Sequence, residues 1–341
     1  MTILHVITKG EVGGAQQVVL NLARQQKNSG HAVTVAWGDG DYLKEELQKS
    51  KIAYTNFTNL KRSYNPLLGL FFIWEIKNYL RDNSFDQVHF HSSNALSGAI
   101  GAKISRHNSP KTIFTFHGLS VLDPNYETNI LKRIVFWLYF KFFLMFIDEK
   151  IFVCNYNLEI AKKIKLIKNG SVTYNKPHLE NKNYLAREDA QKILSEKCKT
   201  SLTGKFIIGS IGRLAYPKNY EFIISIFPEI LKIKPNSTCI IIGEGPERKK
   251  YEELIEKLNL KNNIYLAGEI KNGTDYLKAF DLLVLPSKYE GMPIILLDAK
   301  LAGIKILATN IGGSSEILNA DELYQLDNVD DFISKFNNQQ N

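Results

Sequence analysis

Short apolar runs alternate with helix-length runs along this 341-residue chain, and they do so in two rounds. Runs at 3–7, 33–37, 87–91, 112–116 and 150–153 read as strands, with helical patterns such as 16–27 and 94–106 between them. After a lapse the rhythm restarts, with strands expected at 206–211, 238–242, 263–266, 282–285 and 305–308 and helices near 219–233 and 247–258. Alternation of this kind builds a parallel sheet with helices on both faces. Two rounds predict two open α/β sheets, and the length agrees, since single cores stop growing near about 250–300 residues. The rhythm lapses in the polar stretch from Asn175 to Arg187, which sets the expected domains at 1–176 and 177–341.

Open α/β sheets bind ligands beyond the carboxyl ends of their strands. The glycine turns fall at those ends: Gly10 to Gly14, Gly118, Gly209 to Gly212, Gly243 to Gly245, Gly268 and Gly291. Cys154, Cys198 and Cys239 form no C-x-x-C pair, so neither a disulfide framework nor a zinc site is suggested, and a reduced, cytoplasmic setting fits. The start, Met1 to Ile7, lacks the basic opening and long apolar core of a signal peptide and reads as a first buried strand. The last five residues, rich in Asn and Gln, are expected to fray.

The net charge of +8 is unevenly placed: 21 Lys and Arg face 13 Asp and Glu up to Asn175, against 22 and 22 beyond it. A basic surface attracts nucleic acid, anionic lipid or phosphorylated substrates, although a generally lysine-rich chain gives the same count. The basic residues show no recognition-helix or RNP pattern, so nucleic acid is not an expected partner. Residues 134–147 are strongly apolar, interrupted by Lys141, and too short to span a bilayer. They read either as a core helix or as a helix lying on a membrane surface, which would place the protein at the inner face of the plasma membrane.

Several sites could carry chemistry. Strand 282–285 ends at Pro286, a polar turn follows, and a helix is expected from Pro293, which suits a first helical position. Glu290 can accept from sugar-type hydroxyls, Gly291 allows close backbone approach, and Asp298 can bracket a vicinal diol. The amides of Ile294, Ile295 and Leu296 would point at whatever precedes the helix. Gly209 to Asn219 ends a strand in glycines, then presents Arg213 and Lys218 before a helix, an arrangement suited to an anion or to a solvated loop. Gly243-Glu244-Gly245-Pro246 reads only as a tight turn. His117 ends a strand and faces the expected cleft; His89 and His91 share one strand face, with metal-like spacing but no evident third ligand. Asp39-Gly40-Asp41 could hold a metal-bound diphosphate but reads as an ordinary turn.

Taken together these residues resemble the family 4 retaining glycosyltransferases of the GT-B fold, an α/β class with two Rossmann-like domains facing each other across a cleft. The likeness covers nearly the whole chain. It runs through Gly13 to Ala23, Gly30 to Val35, Gly212-Arg213 with Lys218, Gly243 to Pro246, Glu290 to Pro293 and Gly312-Gly313, in the family's order. The resemblance implies roles. Arg213 and Lys218 would hold the donor diphosphate, and Glu290 the donor sugar's hydroxyls, with backbone contacts from Gly291, Met292 and Pro293. The amides of Ile294 and Ile295 would face a phosphate, Asp298 would take the ribose, and Glu269 and Ile270 would lie near the base. Gly14 would let backbone close on the diphosphate, and His117 would approach the sugar from the first domain. It implies a UDP-linked donor, no cofactor and no metal, domain closure around the reaction, and a lipid-linked oligosaccharide acceptor in bacterial surface-polysaccharide synthesis. A non-catalytic nucleotide-sugar-binding or partner protein on the same scaffold, and another GT-B enzyme such as an epimerase or phosphorylase, are the alternatives.

Three features depart from the family pattern. Position 298 is Asp where the family has Glu, one methylene longer. The interdomain stretch reads Asn175-Lys176-Pro177-His178 in place of Asn-Gly-hydrophobic-Asp. The chain ends soon after the Asp330 to Phe336 pattern, so the family's last helix, which packs back on the first domain, is expected to be shortened or absent.

Overall fold

A computed structural model of the chain describes residues 1–63, 65–105, 109–177 and 184–339. It divides into two units, Met1–Asn175 and Lys176–Asn341. The first contains β1 (Thr2–Lys9), α1 (Gly14–Asn28), β2 (Ala32–Asp39), α2 (Tyr42–Lys49), β3 (Ala53–Asn56), α3 (Pro66–Asp82) and β4 (Gln87–Phe90). It continues with α4 (Gly98–Lys103), β5 (Lys111–Phe116), α5 (Ile130–Phe143), β6 (Glu149–Phe152), α6 (Asn155–Lys163) and β7 (Ser171–Val172). All strands pair in parallel, in the order β3-β2-β1-β4-β5-β6-β7.

The second unit contains α7 (Arg187–Cys198), β8 (Phe206–Ile211), α8 (Tyr220–Ile233), β9 (Ser237–Ile242), α9 (Arg248–Lys257) and β10 (Ile264–Gly268). After these come β11 (Leu282–Leu285), α10 (Ile294–Ala302), β12 (Lys305–Thr309), β13 (Leu323–Tyr324) and α11 (Val329–Asn338). Its parallel sheet runs β10-β9-β8-β11-β12-β13. Strands covered on both faces become near-continuously buried, as the six inner residues of β1 and all of β9 and β11 show. Each sheet reverses its strand order once, between β1 and β4 and between β8 and β11, and the crevice beyond such a switch point is where these folds bind ligands.

The two rounds of alternation are therefore present, with informative differences. The helix expected over 94–106 opens as a 3-10 turn, Asn94–Ser97, before α4. Small residues explain its packing: a Cβ on Gly101 would lie 2.4 Å from the Ile73 carbonyl oxygen, so only glycine lets α4 approach α3 this closely. β3, β7 and β13 were not expected; the last two span two residues each, below the reach of any periodicity. Position 187, expected at the end of the polar linker, starts α7, while His178 and the linker to 183 lie outside the described residues.

α5 is a core helix on one side only. Phe140 is buried, and Phe136, Trp137, Tyr139 and Phe143 pack partly against the core. Leu131, Ile134, Val135, Leu138 and Phe142 are exposed, continued by Met145. No helix among the described residues is long and apolar enough to cross a membrane. In the second unit, Phe332 and Phe336 of α11 are fully buried in its core.

Candidate active site

The loops leaving β8 and β11, the strands flanking the second switch point, are stitched together. The β8 loop passes Gly212 and Arg213 into a 3-10 turn, Tyr216–Lys218, and reaches Asn219. Asn219 adopts the left-handed region (φ 51°), which asparagine tolerates. Its side chain donates to Asp327 Oδ1 at 2.8 Å as α8 begins. Lys288 N, on the β11 loop, donates to the Pro217 carbonyl (2.8 Å). Lys218 Nζ sits 2.6 Å from Glu290 Oε1, and Ser287 Oγ donates to the same oxygen at 2.7 Å. Fully buried Ser287 is held in turn by Thr309 Oγ1, which donates to its carbonyl at 2.7 Å.

The turn from Gly243 to Pro246 does more than link a strand to a helix. Leu214 N donates to the Glu244 carbonyl (3.0 Å) and Glu247 N to the Leu214 carbonyl (3.0 Å). A Cβ at Gly243 would lie 2.0 Å from the Gly212 oxygen, and one at Gly245 2.3 Å from the Leu214 oxygen. The turn clasps the backbone on both sides of Arg213, whose side chain stays exposed. A third clasp comes after β12. Gly313 N donates to the Gly291 carbonyl at 2.6 Å. Gly312 sits at φ 51° with its missing Cβ 2.3 Å from the Glu290 carbonyl oxygen.

Pro293 is the cap residue before α10, not its first helical residue: its ψ of 112° is extended, and the helix starts at Ile294. This shifts the amides available at the helix start. Leu296 N donates to the Pro293 carbonyl (3.1 Å), so of the three named amides only those of Ile294 and Ile295 precede the first backbone bond. Asp298, on α10, is 3% exposed. The Tyr184 phenol donates to the Asp298 carbonyl (2.8 Å), and burial together with the Asp298 and Asp275 charges pushes its pKa up to about 12. Past β10, exposed Glu269 and partly buried Ile270 follow Gly268. Sequence reasoning missed Ser287, Tyr184 and the clasping role of Gly312. For Ser287 a signal existed, a hydroxyl three residues before the key acid; for Tyr184 none did.

In the first unit, Gly14 opens α1 with none of the described residues within 4 Å of its absent Cβ. Asp39 closes β2 and Asp41 precedes α2, while Gly40 (φ 98°) accepts from Trp37 Nε1 at 2.7 Å; the triplet forms a turn. The histidines form a cluster larger than expected. β1 and β4 are in register at His5 and His89. The ring nitrogens of His5, His89 and His91 lie within 4.8 Å of one another, so His5 is the third nitrogen that the local spacing could not reveal. His5 Nδ1 and His91 Nε2 are 2.9 Å apart, a hydrogen bond. Two nitrogens on a tetrahedral metal stand about 3.3 Å apart, from metal–nitrogen distances of about 2.0–2.1 Å. His91 Nδ1 lies 3.1 Å from His117 Nε2, and His89 Nε2 2.7 Å from Thr115 Oγ1.

Burial pushes His5 and His117 down to about 4 and His89 and His91 well below the usual imidazole range, neighbouring rings adding to the last two. The folded rings stay neutral while unfolded ones protonate near about 6.5. The unfolded state therefore binds more protons as pH falls through 6.5 toward 4, and stability falls with it. Each ring contributes at most about 1.4 kcal/mol per pH unit in that window. The melting temperature should drop steadily from pH 7 to 5, before carboxylates titrate; a flat profile would contradict neutral burial.

The comparisons with known proteins agree with this architecture. Residues 12–175 match the model of Glycosyltransferase Family 4, and residues 194–340 match Glycosyl transferases group 1. An uncharacterized glycosyltransferase of Methanocaldococcus jannaschii is 30% identical over 303 residues, 85% of this chain and 71% of that protein. The Escherichia coli UDP-Gal:alpha-D-GlcNAc-diphosphoundecaprenol alpha-1,3-galactosyltransferase is 26% identical over 348 residues, 97% of this chain and 86% of the relative. The crystal structure of Anabaena HepE in complex with UDP-glucose superposes with a TM-score of 0.79 at 19% identity, covering 99% of this chain and 89% of that one. Two Rossmann-type units with such loops define the GT-B class of α/β transferases. The chain belongs to the family 4, group 1 glycosyltransferases.

Proposed function

We propose that this glycosyltransferase moves a sugar from a UDP-sugar to a lipid-linked saccharide with retention of anomeric configuration and without a metal. The observation that carries this reading is the joined β8 and β11 loops, which set Lys218 and Glu290 within 2.6 Å at the switch point, with Arg213 clasped alongside. In the proposed reaction the bond from the anomeric carbon to the diphosphate oxygen breaks and a bond to the acceptor oxygen forms on the same face. The acceptor proton passes to the departing phosphate oxygen. Arg213, Lys218 and the amides of Ile294 and Ile295 stabilise the charge growing on that phosphate. Glu290 holds the sugar hydroxyls, supported by the backbone from Gly291 to Pro293, and Asp298 the ribose. Glu269 and Ile270 border the base, Gly14 borders the diphosphate, and His117 meets the sugar. The donor and acceptor classes are supported by the names of the relatives, one using UDP-galactose on a diphosphoundecaprenol-linked sugar. Incubation with UDP-sugars and an undecaprenyl-diphosphate saccharide should give an EDTA-insensitive product whose anomeric configuration, read by NMR, matches the donor. Inversion, or nucleotide binding without transfer, would reject the reading.

The acceptor also requires a place at a lipid surface. α5 exposes its apolar stripe and carries Lys132, Arg133 and Lys141 without one acidic residue. α3 exposes Leu67, Leu70, Phe71 and Trp74, with Lys77 Nζ 4.3 Å from the Trp74 ring centroid. Apolar side chains beside cations suit an anionic bilayer interface. The protein is expected to float with anionic liposomes, and the Val135→Asp, Leu138→Asp double variant to stay at the bottom of the gradient. No flotation of the wild type at moderate salt would remove membrane contact from the proposal.

A further inference from the structure

Gln26 of α1, His5 of β1, and His91 and His117 just beyond the ends of β4 and β5 form one line of hydrogen bonds in the first unit, buried at its centre. Gln26 Oε1, on α1, is 2.7 Å from His5 Nε2. His5 Nδ1 meets His91 Nε2 at 2.9 Å, and His91 Nδ1 meets His117 Nε2 at 3.1 Å. We propose that this line fixes His117 as the Nε2–H tautomer, so that a bare Nδ1 acceptor is presented to substrate; Gln26, His5 and His91 are positioning residues. The functional half rests on the reading that His117 meets the donor sugar.

The direction follows from the end of the line. An amide oxygen can only accept, so His5 Nε2 carries the proton. A neutral His5 then offers Nδ1 as an acceptor, and His91 Nε2–H must donate to it. By the same step His91 Nδ1 accepts, and His117 Nε2–H donates. The assignment holds only if every ring is neutral, and burial depresses all three imidazoles far below neutrality. His89 stands beside the line, its Nε2 on Thr115 and its buried Nδ1 without a partner among the described residues, so it does not divert the protons. The consequence is chemical. Sugar transfer develops positive charge at the anomeric centre, which an imidazolium would oppose. A neutral ring with a fixed lone pair can accept from a sugar hydroxyl and needs no reorganisation in the transition state.

The test is spectroscopic, on full-length protein labelled with 15N-histidine at pH 8. His117 should show a protonated-type Nε2 and a bare-type Nδ1. Gln26 is only partly buried, so its variants should fold. Gln26→Glu, whose ionised carboxylate at pH 8 can only accept, should keep that pattern and near wild-type turnover. Gln26→Leu should move both His117 nitrogens to intermediate, mixed-tautomer shifts and lower kcat about fivefold, the size of one neutral hydrogen bond. A wild-type His117 protonated at Nδ1 overturns the proposal. So does a stoichiometric metal, detected by elemental analysis, with shifted His5, His89 and His91 signals. If His117→Ala leaves transfer intact while the tautomer pattern stands, the functional half and the sugar-facing reading of His117 fail, and the line remains.

Discussion

Alanine at both Arg213 and Lys218 is expected to lower turnover by about 10³-fold or more, with the melting temperature nearly unchanged. One preorganised donor aimed at developing negative charge contributes about 10²–10³ in rate, and here two are removed. The fold tolerates the change because Arg213 is exposed and its backbone is held by the Gly243 and Gly245 clasp, which no side chain at 213 enters. The lost pair between Lys218 and Glu290 is partly solvated, and such pairs contribute about 1 kcal/mol. Glu290→Ala should cost turnover similarly through the lost sugar contact. Transfer assays with paired melting curves decide the matter; wild-type turnover in either variant would sink the assignment of the joined loops.

The second large effect is expected at a residue with no side chain of its own. Gly312→Ala places a methyl 2.3 Å from the Glu290 carbonyl oxygen at a residue with φ 51°. That oxygen is main chain and cannot swing aside, so the β11 loop must move or the β12 loop must give. Strain of this kind costs about 1–3 kcal/mol, or about 2–12 °C in melting temperature at about 2–4 °C per kcal/mol for a unit of this size. The variant should also lose turnover, because the carboxylate of Glu290 rides on the displaced backbone. The control is Gly204→Ala. It also has a positive φ, but none of the described residues lies within 4 Å of its would-be Cβ, so it should lose stability and keep turnover. Equal kinetic loss in both variants would show that the effect is not local to Glu290.

Much of this was legible in the residues. Phe206–Ile211 and Leu282–Leu285 match their expected limits, because apolar runs ending in glycine or proline mark strand ends clearly. The pairing of Lys218 with Glu290 was not legible, since 72 residues separate them and only the β8–β11 register brings their loops together. The same holds for His5, whose relation to His89 is a property of sheet register. Pro293 shows a smaller limit: proline suits both the cap and the first turn, and only ψ separates them. Gly312 is the sharpest case, because a glycine reserved for a neighbour's carbonyl looks like any other turn glycine until the neighbour is known.

The charge surplus has a consequence for how the two proposed ligands arrive. The boundary between the units falls where the count turns even, leaving the second unit with balanced charge and the first with the whole excess. A balanced unit projects little field beyond a Debye length of about 8–10 Å, so a nucleotide is captured by contact and not steered from afar. An anionic surface, by contrast, feels the first unit at long range. Ionic strength should therefore act unequally on the two encounters, slowing arrival at lipid much more than it weakens nucleotide affinity, and a salt titration can separate them in a single preparation.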